Sequence, residues 1–165
     1  MKYAIVFSSR TGNTRMLAEA IHTVLPDAVY FGNPSDEALA ADRIYLGFWT
    51  DKGSCDPDTA SFLEKLTDQQ VFLFGTAGFG GQPDYFDKIT ERVTKRMPAG
   101  VRVLGSYLCQ GKMPMAVREK YEKMQKVHAP VPNLKGMLEN FDRALSHPDA
   151  EDLAGLTRAV VASLR

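Results

Sequence analysis

Cysteine is scarce in this chain, and the chain carries no net charge. Cys55 and Cys109 are the only thiols in 165 residues, too few for a disulfide framework or a thiolate cluster, so a reducing, cytoplasmic setting is the expectation. The 20 basic residues balance 20 acidic ones, which removes the electrostatic argument for a nucleic-acid partner. No apolar run approaches the ~18 residues that a membrane span requires. The opening MKYAIVF lacks the length and cleavage site of a signal peptide and reads as a first core strand. His22, His128 and His147 are scattered without metal-ligand spacing, so no metal is expected and each reads as a surface or capping residue.

What is present alternates. Lys2 to Phe7, Ala28 to Phe31, Arg43 to Phe48, Gln70 to Phe74 and Val101 to Leu108 are short runs rich in Val, Ile, Tyr and Phe, and read as five strands. Between the first two, Met16, Leu17, Ala20, Ile21, Val24 and Leu25 recur at the spacing of one buried helix face. Similar stripes run from Thr59 to Leu66 and, behind Pro83, through Phe86, Ile89, Val93 and Met97. A last helix follows His147-Pro148-Asp149, with Asp152 at a capping-box position and Leu153, Leu156, Val160 and Leu164 as its stripe. Such alternation implies an α/β fold, a parallel sheet with helices on both faces. No linker or repeat divides the chain, so residues 1–165 are expected to form a single domain.

One segment breaks the rhythm. Residues 110–147 read as an insertion with helices at Met115 to Lys126 and Leu134 to Leu145, punctuated by Pro114, Pro130 and Pro132. From Gln110 to Val127 it carries Lys112, Arg118, Lys120, Lys123 and Lys126 against Glu119 and Glu122. A solvated helix face with i, i+4 pairs accounts for this; a docking surface or a cover over a ligand is the alternative.

The stretch FSSRTGNTRM, Phe7 to Met16, falls where the first strand ends and the first helix begins. In a doubly wound sheet ligands bind at such carboxyl ends, and the free N–H groups of a helix's first turn favour an anion. Ser9, Thr11 and Thr14 add hydroxyls, Asn13 an amide, and Gly12 close backbone approach. That chemistry suits a phosphate. No lysine follows Gly12, so this is not a nucleoside-triphosphate loop, and the three spaced glycines of a dinucleotide fingerprint are missing. Nor does a cysteine stand at the strand end as a phosphatase nucleophile.

Ser9-Arg10-Thr11-Gly12-Asn13-Thr14 resembles the phosphate loop of the flavodoxin family, Ser/Thr-x-Thr-Gly-x-Thr. The resemblance extends over most of the chain and implies a doubly wound five-stranded parallel sheet of order 2-1-3-4-5 that binds FMN. It places two more loops at the cofactor. In Trp49-Thr50-Asp51-Lys52-Gly53, Trp49 would lie against the isoalloxazine, or else end its strand as a core residue. The Lys52-Gly53 peptide would turn its carbonyl to flavin N5–H after one-electron reduction; Lys52 is otherwise an exposed loop charge. In Gly75-Thr76-Ala77-Gly78-Phe79-Gly80-Gly81-Gln82-Pro83, Thr76, Ala77, Gly78, Phe79 and Gly80 would line the flavin's edge, with Phe79 a hydrophobic plug as the other reading. The family's usual acidic residues are missing before Asp84, and so is its usual acidic net charge.

The resemblance implies a monomeric electron carrier serving a partner oxidoreductase, with no catalytic residue of its own. Trp49 to Gly53, Cys109 to Met113 and the His-Pro-Asp helix start look like flavodoxin-like proteins of anaerobic bacteria associated with bilirubin reductase. Two other classes stay open: a small FMN quinone or protoporphyrinogen reductase, and a flavin-free interaction domain.

Overall fold

The computed structural model describes residues 1–80, 83–127 and 133–165. His128, Pro130, Pro132 and the Gly81-Gln82 end of the third loop lie outside the described residues. Its strands are β1 (Tyr3–Phe7), β2 (Tyr30–Gly32), β3 (Arg43–Asp51), β4 (Ser54–Cys55), β5 (Gln70–Ala77) and β6 (Arg102–Gln110). Five of them form a parallel sheet in the order β2-β1-β3-β5-β6, the expected doubly wound order. The helices are α1 (Asn13–Val24), α2 (Pro57–Leu63), α3 (Pro83–Lys95), α4 (Met115–Lys126), α5 (Leu134–Ala144) and α6 (Ala150–Ser163), with a 3-10 turn at Asp36–Ala40. No helix of the described residues is long and apolar enough to cross a membrane.

Strand alternation sorts the core into two layers. Ala4, Val6, Ile44, Leu46, Phe48, Val71 and Leu73 face Ala60 and Leu63 of α2 and Ile89 and Val93 of α3. Ile5, Phe7, Tyr45, Phe72 and Phe74 face Leu17 and Ile21 of α1 and Leu156 and Val160 of α6. At about 1.5–3 kcal/mol for each large apolar side chain buried, these two layers dominate the stability.

Three expectations shift. The sheet has a sixth strand, because β3 runs on to Asp51 and β4 turns back antiparallel to it, pairing Thr50 with Cys55 and Asp51 with Ser54. Gly75, Thr76 and Ala77 belong to β5 rather than to a loop, held by parallel pairing to Leu108, Cys109 and Gln110. On α1, Met16 is 39% exposed while Ala18 is fully buried; the apolar period is right but its phase turns by about one residue.

Residues 110–147 carry α4 and α5, which pack on each other. Tyr121, Phe141 and Ala144 are buried, and Arg118 of α4 pairs with Glu122 and with Asp142 of α5 while lying 5.7 Å from the Phe141 ring centroid. Beyond them α6 starts on a reciprocal capping box between Asp149 and Asp152, as its sequence predicts, worth about 1 kcal/mol.

Candidate functional site

The first loop curls onto itself at the carboxyl end of β1. Ser9 Oγ accepts from the N–H groups of Gly12 and Arg15, both at 3.2 Å, and Met16 N–H donates to the Gly12 carbonyl at 3.0 Å. Gly12 sits at φ 91°, a left-handed backbone that a residue with a Cβ resists. The N–H groups of Asn13 and Thr14 find no partner among the described residues, so the first turn of α1 keeps two free donors. Thr14 is buried, its hydroxyl donating to the Phe48 carbonyl at 3.2 Å and lying 3.4 Å from Thr76 Oγ1. Asn13 is buried too; its amide donates 2.8 Å to the Lys112 carbonyl, and its Oδ1 has no partner among the described residues.

The second loop is a hairpin. Lys52 and Gly53 form its two-residue turn at φ 50° and 80°, the all-positive geometry of a type I′ turn, whose twist matches the flanking strands. The Gly53 carbonyl accepts from Arg92 Nη1 of α3 at 3.0 Å. Just beyond the hairpin, buried Asp56 accepts from Trp49 N–H at 3.3 Å, Thr59 N–H at 3.1 Å and Thr59 Oγ1 at 2.9 Å. One carboxylate thereby caps α2 and fixes the backbone of Trp49. The indole is half-buried and the Arg10 guanidinium lies 5.5 Å from its ring centroid.

These loops and the start of the third enclose a cleft of about 330 Å³, within the range of small-molecule sites. It is lined by Arg10, Thr11, Asn13 and Thr14, by Trp49 through Gly53, and by Thr76 through Phe79. Of the residues singled out in the sequence, Ser9, Gly12 and Gly80 stand behind this lining. Thr50 Oγ1 is buried without a partner among the described residues, and Phe79 is 42% exposed at the rim. A roomier groove of about 470 Å³ on the other flank of the first loop is lined by Ser9, Asn33, Ser35, Asp58 and Lys65, but includes nothing from the second or third loop.

The fourth wall was not singled out as part of the site. Gly111, Lys112, Met113, Pro114, Val117 and Tyr85 also line the cleft. Gly111 N–H donates to the Ala77 carbonyl at 2.9 Å and Lys112 N–H to the His147 carbonyl at 3.0 Å, so the start of the insertion is tied to β5, to the start of α6 and, through Asn13, to the first loop. The signal in the sequence was Gln110-Gly111-Lys112-Met113, a turn at a strand's carboxyl end. Burial pushes the Tyr85 phenol up and keeps it protonated at neutral pH. Cys55 and Cys109 are both buried, and burial, above all other causes, raises both thiols.

Residues 4–161 match the flavodoxin domain family. The chain is 40% identical to the flavodoxin-like domain-containing protein BilS of Clostridium symbiosum (strain WAL-14163), over 99% of this chain and 96% of that one. In fold it is similar to oxidised flavodoxin 2 from Bacillus cereus, with a TM-score of 0.60 at 19% identity over 99% of this chain and 98% of that one. It is also similar to a flavoprotein in complex with FMN from Lactobacillus acidophilus NCFM, with a TM-score of 0.54 at 15% identity over 65% of this chain and 92% of that one. The sheet order, the loop at the end of β1 and these likenesses agree: the chain belongs to the flavodoxin family.

Proposed function

We propose that the chain carries electrons on FMN held in this cleft and passes them to a partner oxidoreductase. The observation that supports this best is the polar character of the cleft's wall at the first loop. Two free N–H groups at the start of α1, with Thr11 and Arg10 in the same lining, suit a phosphate dianion. The unpartnered Asn13 Oδ1 and Thr50 Oγ1 call for donors, which the hydroxyls of a ribityl chain provide. The donor set therefore fits FMN, and a single anion site favours it over a dinucleotide.

Bound FMN supplies the one- and two-electron redox chemistry. The chain's own groups hold, orient and shield. Ser9 and Gly12 keep the first loop curled so that its donors converge, and Asp56 fixes the strand that presents Trp49. Tyr85, Met113 and Val117 restrict water at the outer wall. Among the described residues the lining contains neither histidine nor cysteine, and Tyr85 remains a phenol. Asp51 and Lys52 of the second loop are the acid–base candidates of the lining, and the carrier reading over a stand-alone reductase is supported by membership of the flavodoxin family.

The narrower reading, that the partner is a reductase of bilirubin or a related tetrapyrrole, is supported by the likeness to BilS. Titration with FMN followed by stepwise anaerobic reduction tests the main reading. Bound-flavin bands that pass through a long-wavelength absorbing form are expected; absence of flavin binding overturns it. Steady turnover of a quinone or tetrapyrrole by the isolated protein with a nicotinamide donor sinks the carrier reading. Failure of the reduced protein to speed a bilirubin reductase removes only the narrower one.

A further inference from the structure

Two amide hydrogen bonds join the end of β6 and the insertion to the third loop, and a third links the two amides to each other. Gln110 Nε2 at the end of β6 donates to the Gly78 carbonyl at 3.0 Å and lies 3.0 Å from Asn140 Oδ1. Asn140 Nδ2, on α5, donates to the same Gly78 carbonyl at 3.0 Å. The carbonyl thus receives two donors, its full capacity, and both ends of the Asn140 amide are used at 7% exposure. Packing holds the same residues. A Cβ on Gly78 would lie 2.6 Å from Met113 Sδ, and one on Gly80 within 3.0–3.2 Å of the Gln110 side chain. Residues 78–80 are gripped between β6, the start of the insertion and α5.

We propose that Asn140, acting with Gln110, is a positioning residue for the cofactor: it sets where the third loop lies along the edge of the cleft, so that the helical insertion is a built part of the site. The proposal rests on the reading of the cleft as an FMN site. Asn140 itself does not line the cleft and acts through Gly78. Its neighbours Phe141 and Ala144 are buried, and the Arg118–Asp142 pair at 2.9 Å joins α4 to α5. The amide is therefore presented from an anchored helix. Its reach spans 62 positions of sequence.

Asn140→Asp removes the donor to Gly78 and sets a carboxylate against a carbonyl, while Asn140→Leu keeps the branching of the side chain, adds volume and removes both contacts. In the apo protein, backbone 15N order parameters at residues 78–80 are expected to fall from about 0.85 toward about 0.6 while those in β1 and β3 stay unchanged, since the Gly78 carbonyl loses one of the two donors that hold it. The dissociation constants of FMN and of riboflavin are expected to rise together, by about 5- to 30-fold, because a loop beside the ring system does not distinguish the phosphate. Unchanged order parameters at 78–80 in both variants overturn the proposal. So does a loss confined to FMN, which would place the effect at the first loop. If the leucine variant does not fold, the near-isosteric aspartate carries the test. Wild-type protein that binds neither flavin sinks the functional reading, and the order parameters still decide whether Asn140 fixes the loop.

Discussion

A methyl group added at Gly53 probes the hairpin and its tether to α3 together. Gly53 lies at φ 80°, and an added Cβ would stand 2.6 Å from Arg92 Nη1, the atom that donates to the Gly53 carbonyl. Holding alanine in this left-handed backbone costs about 1–2 kcal/mol. Displacing the exposed Arg92 bond adds about 0.5–1 kcal/mol, and the stiffer unfolded chain returns about 0.5 kcal/mol. Gly53→Ala is therefore expected to destabilise by about 1–2.5 kcal/mol, or about 2–10 °C in Tm for a chain of this size. Urea denaturation with matched m-values supplies the measurement. In an Arg92→Ala background the same change should cost about 0.5–1 kcal/mol less, because the clash and the bond are already gone. An equal cost in both backgrounds refutes the tether, and a negligible cost in either refutes the positive-φ turn. Gly53→Ala should also lower the yield of the long-wavelength absorbing form during FMN reduction; an unchanged yield detaches this turn from the flavin.

Lys52→Asn places a residue that tolerates positive φ at the first turn position and should stabilise by about 0.5 kcal/mol; a lower denaturation midpoint contradicts the type I′ assignment. Thr14→Val removes a buried donor from the Phe48 carbonyl and is expected to cost about 1–3 kcal/mol in the apo protein, as read by thermal unfolding; a change in FMN affinity alone would mean that Thr14 has no fold role. Burial raises the Cys55 and Cys109 thiols, so both should react slowly with a disulfide reagent at pH 8 in the native state and fully in denaturant, whereas fast native labelling overturns their buried placement. The Asp149 carboxyl is lowered chiefly by the hydrogen bond from Asp152 N–H. Its contribution is complete above the unfolded carboxylate value of about 3.9 and is lost as pH falls through the lower folded one. Asp149→Asn keeps a cap and should flatten that acid limb; an identical acid limb in the variant would show that another group governs it.

The amino-acid pattern by itself determined the alternating elements, the doubly wound layers, the curled loop after β1 and the α6 capping box, because each follows from steric preferences within a few residues. Ser9 and Gly12 are legible as the frame of that loop for the same reason. What the tertiary structure decided lies across the chain. The carboxyl end of β5 became strand through pairing with β6, since Gly75 to Ala77 have weak strand preference of their own. Asn13 Nδ2 reaches the Lys112 carbonyl across 99 positions, tying the first loop to the fourth wall. Gly111 to Pro114 entered the cleft only once α6 and β5 stood beside them, and Asn140 reached Gly78 only once α5 had docked. Local sequence specifies a period and a turn; which distant groups then satisfy buried donors and acceptors is settled by closing the sheet and packing the helices.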